Sequence, residues 1–171
     1  GQITVNGLER SYRFYIPENL PSGPRPLLLS VHGADGRDWA FPQESRFAAL
    51  AEAEGIILAN PLSQHLAGNE GEWQLNTPPD ARHDIEFIES IIDELSSAYA
   101  IDGSRIYATG YSIGSMFTYE LACHLSNRIA AIASFAGTMP VNPTSCEISR
   151  GYPVMHIHGD DDSIIGYGGP W

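Results

Sequence analysis

The sequence predicts an α/β fold in which a mostly parallel, twisted sheet is covered by helices on both faces and preceded by an antiparallel hairpin. Three observations favour this class. Short, nearly continuous apolar runs alternate with segments of helical periodicity, which is typical of buried parallel strands. Several of these runs end at glycine or proline, as strands do where the chain turns. Near the start, the dipeptide Asn6-Gly7 separates two short runs and gives a strong hairpin signal.

The elements follow in chain order from these patterns. Two hairpin strands come first, and five apolar runs then predict the strands of the sheet: Ile3–Val5 and Tyr12–Ile16, then Leu27–His32, Ile56–Asn60, Arg105–Thr109, Ile129–Phe135 and Val154–His158. Apolar residues at helical spacing predict three helices between them: Ser45–Glu54, Asp84–Tyr99 and Ser115–Leu125. A long excursion containing glycine and proline runs from Leu62 to about Pro79. Functional residues are expected on the loops after the strands, because sites in such sheets form at the carboxyl ends.

Length and composition are those of one domain, residues 1–171, with enough apolar residues for a core. The net charge of −12 argues against a nucleic-acid partner, because such proteins carry clustered Lys and Arg. No membrane partner and no signal peptide are predicted, since no apolar run or leader pattern fits either. No residue spacing suggests a metal site, and no cofactor is expected. Cys123 and Cys146 leave open either a disulfide in an exported protein or two buried thiols.

The sharpest motif is Gly110-Tyr111-Ser112-Ile113-Gly114, which follows a predicted strand and opens a predicted helix. This setting is typical of a nucleophile elbow, a strained turn that projects a serine hydroxyl from the sheet. The flanking glycines let neighbouring backbone approach closely, and the helix N-terminus points at a developing oxyanion. Ser112 is therefore the candidate nucleophile, and the alternative interpretation is an ordinary helix cap between glycines.

The loop His32–Gly36 follows another predicted strand. In a sheet of this kind the loop faces the nucleophile and supplies one backbone N–H to an oxyanion hole, while the residue after the serine, Ile113, supplies the other. The first donor is Gly33 or Ala34, and the sequence does not choose between them. For His32, a structural role in holding the loop is preferred to a role as general base.

Three consecutive acids, Asp160, Asp161 and Asp162, follow the last predicted strand. The acid of a catalytic triad belongs on a loop after a late strand, in the chain order serine, acid, histidine. One of the three fits that role, and the other two are then solvated turn residues. Order and position alone do not say which one is catalytic.

Six stretches spread over almost the whole chain carry a family resemblance: Leu8–Arg13, the His32-Gly33 loop, Asp84–Ile88, Tyr99–Ser112, Ala136–Pro140 and His156–Gly159. As a set they resemble the extracellular esterase family that groups polyhydroxybutyrate depolymerases with feruloyl and acetylxylan esterases. The resemblance implies the α/β-hydrolase fold, export, and an ester of a polymer or plant wall as substrate. In that family the acid stands three residues after the glycine of a His-Gly pair, which lands on Asp162. The family often has Ser-Asn-Gly-Gly at the elbow, whereas this chain has Ser112–Ser115 as Ser-Ile-Gly-Ser, a change that bears on the acyl pocket.

The triad lacks a histidine after its acid. Only nine residues follow Asp162, none of them histidine, and a parallel crossover needs about a dozen or more. We therefore expect an incomplete domain whose last strand, last helix and catalytic histidine are not in this chain. Four upstream histidines are the less favoured alternatives: His65, His83, His124 and His156, of which the last is expected within a buried strand.

The resulting hypothesis is a serine carboxylic ester hydrolase that works by acyl transfer, without metal or cofactor. Tyr111, beside the nucleophile, and Trp73, in the long excursion, are candidates for lining the substrate site, and plain packing is the alternative for Trp73. Two other functions stay open: a serine peptidase on the same fold, and a non-catalytic domain that kept the elbow but lost the base. A secreted or periplasmic location follows from the resemblance alone, and the oligomeric state has no signal in the sequence.

Overall fold

A computed structural model describes residues 1–18, 20, 22–34, 45–64, 73–78, 80–139, 146, 148 and 150–168. The described residues form seven strands and three helices, which in chain order are β1 Gln2–Val5, β2 Leu8–Tyr15, β3 Arg25–Val31, α1 Phe47–Glu54, β4 Ile57–Pro61, α2 His83–Ala98, β5 Ile101–Tyr111, α3 Ile113–His124, β6 Ala131–Phe135 and β7 Val154–Ile157. Every predicted strand and helix is present, with ends shifted by a few residues. In these ranges, no helix combines the length and apolarity needed to span a membrane.

The strands form one sheet in the order β1-β2-β4-β3-β5-β6-β7. The first two pairings, β1 with β2 and β2 with β4, are antiparallel, and the other four are parallel, which confirms the predicted sheet. The hairpin turn places Asn6 at φ 51° and Gly7 at φ 77°, the left-handed pair that a tight two-residue turn requires. These four parallel pairings join five strands, so the loops after β3, β5, β6 and β7 come to one edge of the sheet.

Helices lie on both faces of the sheet, but they cover the two faces unequally. Leu27 and Leu29 of β3 belong to a buried core with the apolar residues of α2 and α3: Ile85, Phe87, Ile88, Ile91, Ile92, Leu95, Phe117, Leu121 and Ala122. Leu28 points the opposite way, because side chains alternate along a strand, and it lines an apolar groove of about 490 Å³ that reaches β7. On that second face, Phe47 of α1 lines a smaller cavity with Phe135. Helices on both faces confirm the predicted layers, and among the described residues the groove lined by Leu28 is the more open part of the second face.

Strand β7 corrects one expectation. The sequence predicts Val154–His158 as a buried strand, but all four residues of β7 are exposed, with Met155 at 59% and Ile157 at 48%. Within the described ranges β7 is the edge strand, hydrogen-bonded to β6 alone. An apolar run predicts a strand but does not say whether both of its sides have partners, which is why the burial was predicted wrongly.

Cys123, in the last turn of α3, forms a disulfide with Cys146. The two alternatives that the sequence left open are therefore resolved in favour of the bond. Because α3 begins immediately after Ser112, the disulfide anchors the far end of the elbow helix to the chain that follows β6. Disulfides persist mainly in oxidising compartments, which bears on where the protein works.

Removing this disulfide is expected to destabilise the fold. The bond closes a loop of 23 residues, and cross-links of that size reduce the entropy of the unfolded chain enough to contribute about 3 kcal/mol. Urea unfolding with and without dithiothreitol, followed by circular dichroism, measures the loss. A Cys123→Ala/Cys146→Ala variant is the matched control, since dithiothreitol should not change its unfolding midpoint. Equal midpoints for the oxidised and reduced protein would contradict the prediction.

Candidate active site

Ser112 is the turn residue between β5 and α3, with a backbone φ of 54° and ψ of −128°. A positive φ is strained for a residue with a Cβ, so surrounding contacts must hold it. The Ser112 N–H donates to the Phe135 carbonyl at 2.9 Å, and the Ser112 carbonyl accepts from the N–H groups of Ser115 at 2.9 Å and Met116 at 3.2 Å. The residue itself is half-buried. The strained turn that the motif predicts is present between strand and helix.

Gly110 and Gly114 let backbone segments touch on either side of this turn. A Cβ built on Gly110 would overlap the Gly114 carbonyl group, and one built on Gly114 would overlap the His32 carbonyl oxygen. The elbow helix therefore packs directly on the backbone of the loop after β3. A side chain at position 114 would push these two parts of the site apart.

The loop after β3 lies against the nucleophile. A Cβ built on Gly33 would stand 3.2 Å from the Ser112 Cβ and 3.2 Å from the Tyr111 carbonyl oxygen. Gly33 is buried, whereas the next residue, Ala34, is exposed. Ile113 is the first residue of α3, so its N–H has no acceptor within the helix. The structure thus places Gly33 against Ser112 and Ile113 directly after it, and the choice between Gly33 and Ala34 as oxyanion donor stays open.

His32 is buried, with only 3% of its surface exposed, and both ring nitrogens are occupied. Its Nε2 accepts from the Ser63 N–H at 3.0 Å, so the ring proton is assigned to Nδ1, which donates to the Gly33 carbonyl at 2.6 Å. Burial lowers the pKa of His32, which keeps the ring neutral. These contacts agree with the structural role preferred from the sequence. The remainder of this loop, Asp35 and Gly36, lies outside the described residues.

Among the three acids after β7, the Asp162 carboxylate is anchored by backbone donors. Its Oδ1 accepts from the N–H groups of Ile164 and Ile165, each at 2.9 Å, and Oδ2 lies 3.5 Å from His158 Nε2. These N–H groups, that of Ile165 first, hold the pKa of Asp162 below its ordinary value of 3.8, so the carboxylate is charged at neutral pH. Asp160 and Asp161 are exposed, whereas Asp162 is half-buried. These features favour Asp162 within the triplet, as the resemblance implies.

The contacts found for the other described histidines are with residues other than Ser112. His83 Nδ1 lies 3.4 Å from Asn6 Nδ2, His124 Nε2 lies 3.4 Å from Glu120 Oε2, and His156 Nδ1 lies 2.8 Å from the Tyr119 hydroxyl. His156 is exposed on β7 and not buried as predicted. The side chain of His158 is fully buried, and its Nε2 donates to the Ile165 carbonyl at 2.7 Å. His65 lies outside the described residues.

The two candidates for lining the substrate site differ in exposure. Tyr111 is 53% exposed beside the nucleophile, and it lines an apolar cavity of about 230 Å³ with Phe47 and Phe135. Trp73 is only 2% exposed, and its ring stacks on Phe117 of α3 with centroids 4.8 Å apart. A ring buried this deeply presents no face to a substrate, so the lining role suggested for Trp73 is corrected to the packing alternative.

Two buried carboxylates near the site were missed from the sequence. Asp84 is fully buried, pairs with Arg10 at 2.8 Å, and accepts the Gln74 N–H at 2.7 Å. Glu120 of α3 is 3% exposed and accepts the N–H groups of Asn76 at 2.8 Å and Thr77 at 3.2 Å. Both carboxylates therefore hold the segment Trp73–Thr77. A signal was available, since an acid within the apolar face of a predicted helix needs a buried partner.

Comparisons with known proteins agree with this geometry. Residues 76–168 match the model of the phospholipase/carboxylesterase family. The chain is similar to a bifunctional acetylxylan esterase/xylanase of Neocallimastix patriciarum, with 31% identity over 94% of the chain and 22% of that protein. It is also similar to feruloyl esterase B of Piromyces equi, with 28% identity over 84% of the chain and 27% of that protein.

Among solved structures, the chain is similar to an acetyl xylan esterase from Aspergillus awamori, with a TM-score of 0.71 and 25% identity. That match covers 81% of the chain and 52% of the solved structure. The chain therefore spans about half of the length of that protein, and less of the two relatives named above. The family match, the mostly parallel sheet and the strained serine turn lead to one conclusion. The chain belongs to the phospholipase/carboxylesterase family and has the α/β-hydrolase fold.

Proposed function

We propose that the protein hydrolyses carboxylic esters through an acyl-enzyme formed on Ser112. The observation that carries the proposal is the left-handed backbone of Ser112 between β5 and α3, with the Gly33 loop packed against it. In this arrangement the Ser112 Oγ attacks the ester carbonyl, and the N–H of Ile113 and that of Gly33 or Ala34 stabilise the oxyanion. The alcohol leaves, and water then releases the acid and restores the hydroxyl.

The acid of the proposed triad is Asp162. Its Oδ1 accepts hydrogen bonds from two backbone N–H groups. Within the described part of the chain, the contact found for Oδ2 is with His158 Nε2, at 3.5 Å. Because His158 Nε2 already donates to a carbonyl, Oδ2 is available to orient the N–H of another histidine. That histidine takes the serine proton, and the partners found for the described histidines support our expectation that it is not one of them.

We further propose that the substrate is a feruloyl, acetyl or hydroxyalkanoate ester of a polymer and that the enzyme is exported. The names of the related acetylxylan and feruloyl esterases support the substrate class. The Cys123–Cys146 disulfide supports a secreted or periplasmic location, since such bonds are rare in reducing compartments. Tyr111 is the side chain proposed to contact the substrate, because it is exposed beside the nucleophile.

The test is a comparison of substrates and a covalent label on the full-length protein. Turnover of p-nitrophenyl acetate is expected, with little or no turnover of a peptide p-nitroanilide. A fluorophosphonate probe is expected to modify Ser112, as located by peptide mass spectrometry. Faster cleavage of the anilide would identify a peptidase instead. Absence of both ester turnover and a Ser112 adduct would favour a non-catalytic domain and would contradict the proposal.

A further inference from the structure

The backbone carbonyl of His32 is held by the indole of Trp73. Trp73 Nε1 donates to this carbonyl oxygen at 2.9 Å, and the hydrogen bond is buried. The carbonyl also lies where a Cβ on Gly114 would be, so it is confined between the elbow helix and the indole. The peptide group between His32 and Gly33 therefore has contacts on two sides.

Because a peptide group is planar, the hydrogen bond from Trp73 also fixes the direction of the Gly33 N–H. The His32 carbonyl and the Gly33 N–H belong to one rigid plane and point in opposite directions, so fixing the carbonyl fixes the N–H. The next peptide plane is held similarly, because His32 Nδ1 donates to the Gly33 carbonyl and so orients the Ala34 N–H. Both candidate oxyanion donors thus lie on peptide groups whose carbonyl oxygens are occupied.

The indole is itself fixed by its surroundings. Its ring stacks on Phe117 with an interplanar angle of 10°, and its centroid lies 5.0 Å from that of the His32 ring. The residues after it are held by the buried carboxylates of Asp84 and Glu120, which accept three backbone N–H groups of the segment Trp73–Thr77. Since Glu120 lies on the helix that begins after the serine, this segment connects the elbow helix with the loop after β3.

We propose that Trp73 is a positioning residue. By holding the His32–Gly33 peptide group, it fixes the start of the loop whose Gly33 or Ala34 N–H is the oxyanion donor for the substrate of Ser112. This inference rests on the proposed esterase activity. An oxyanion hole stabilises the transition state only if its donors already point at the developing charge. Without the indole N–H, the His32–Gly33 peptide group loses one of its two restraints and can rotate more freely. A replacement of the same shape as tryptophan would keep the apolar contacts of the ring, so the two contributions can be separated.

The test is Trp73→Phe in the full-length protein, together with a variant that carries benzothienylalanine at position 73, an indole analogue with sulfur in place of N–H. We expect kcat for p-nitrophenyl acetate to fall roughly 10- to 100-fold with KM nearly unchanged, up to the loss seen when one donor is removed. Inhibition by benzeneboronic acid, which forms a tetrahedral adduct on a serine, should weaken by a similar factor. Ile91→Val, a core truncation on α2, is the control that lowers stability without removing a hydrogen bond to the loop.

The outcomes are separable. If the wild-type protein turns over ester and both Trp73 variants keep its kcat and boronate affinity, this inference is overturned and the proposed function stands. If Ile91→Val lowers kcat as much as the Trp73 variants do, the effect is one of stability, and the positioning role is rejected. If the wild-type protein neither hydrolyses ester nor reacts with the fluorophosphonate, the proposed function has failed first. Should Trp73→Phe not fold, the benzothienylalanine variant decides the result.

Discussion

Replacing Ser112 by alanine is expected to lower kcat for ester hydrolysis by about 10⁶-fold, the loss found when a serine nucleophile is removed. The expectation follows from the position of the hydroxyl at the tip of the turn between β5 and α3. Alanine keeps the Cβ and the same backbone strain, so the fold and the substrate affinity should change little. Steady-state assays with p-nitrophenyl acetate and a urea unfolding curve measure the two properties separately.

Ser97→Ala is the matched control for this loss. Ser97 is an exposed serine of α2 whose hydroxyl donates to the Glu94 carbonyl at 2.8 Å. The control removes one hydroxyl from a helix without approaching the site, so kcat should be that of the wild type. If Ser112→Ala kept kcat within tenfold of the wild type, the nucleophile would have to be sought elsewhere.

Replacing Asp162 by asparagine is expected to lower kcat by about 10⁴-fold, the effect of removing the negative charge from a triad acid. Asparagine keeps one carbonyl oxygen that can accept the N–H groups of Ile164 and Ile165, so the loop should persist. It loses the charge that stabilises an imidazolium and holds the histidine in its working tautomer. We expect KM to change little, since the carboxylate acts on the base and not on the ester.

Asp161→Asn provides the comparison, because it makes the same chemical change one residue away at an exposed position. Equal losses from the two variants would assign the effect to the charge of the loop and not to a triad acid.

The pH dependence of activity adds a second check on Asp162. The pKa of Asp162 is lower in the folded protein than its ordinary value of 3.8. Its contribution to stability is therefore fully present above pH 3.8 and is lost only as the pH falls through the lower pKa of the folded state. Loss of activity between pH 5 and 7 should therefore follow the histidine.

The elbow could be predicted from the sequence because its determinants are local. Strand, turn and helix follow one another within the residues around Ser112, and the two glycines mark the close contacts directly. The loop after β3 was predicted for the same reason, since a strand ending in His32-Gly33 fixes where the loop begins. Position narrowed the acid to three neighbours, and the family resemblance pointed to Asp162 among them. The structure adds its half-buried position and the backbone N–H groups of Ile164 and Ile165.

What could not be predicted depends on residues that are distant in the chain. Trp73 lies in a stretch without periodicity, so nothing nearby reveals that its ring stacks on Phe117 of a later helix. Glu120 appears as one acid in an apolar helix, and its partners, Asn76 and Thr77, come from a loop more than forty residues earlier. The pairing of Cys123 with Cys146 likewise depends on the folded distance between α3 and the chain after β6.

The left-handed backbone of Ser112 sets folding and chemistry against each other at a single position. Glycine adopts a positive φ without steric cost, so a chain with glycine at 112 would fold with less strain and would have no hydroxyl with which to react. A library of variants sorted only for resistance to heat would drift toward glycine there and discard the enzyme. A library sorted for turnover would retain serine and accept a less stable protein.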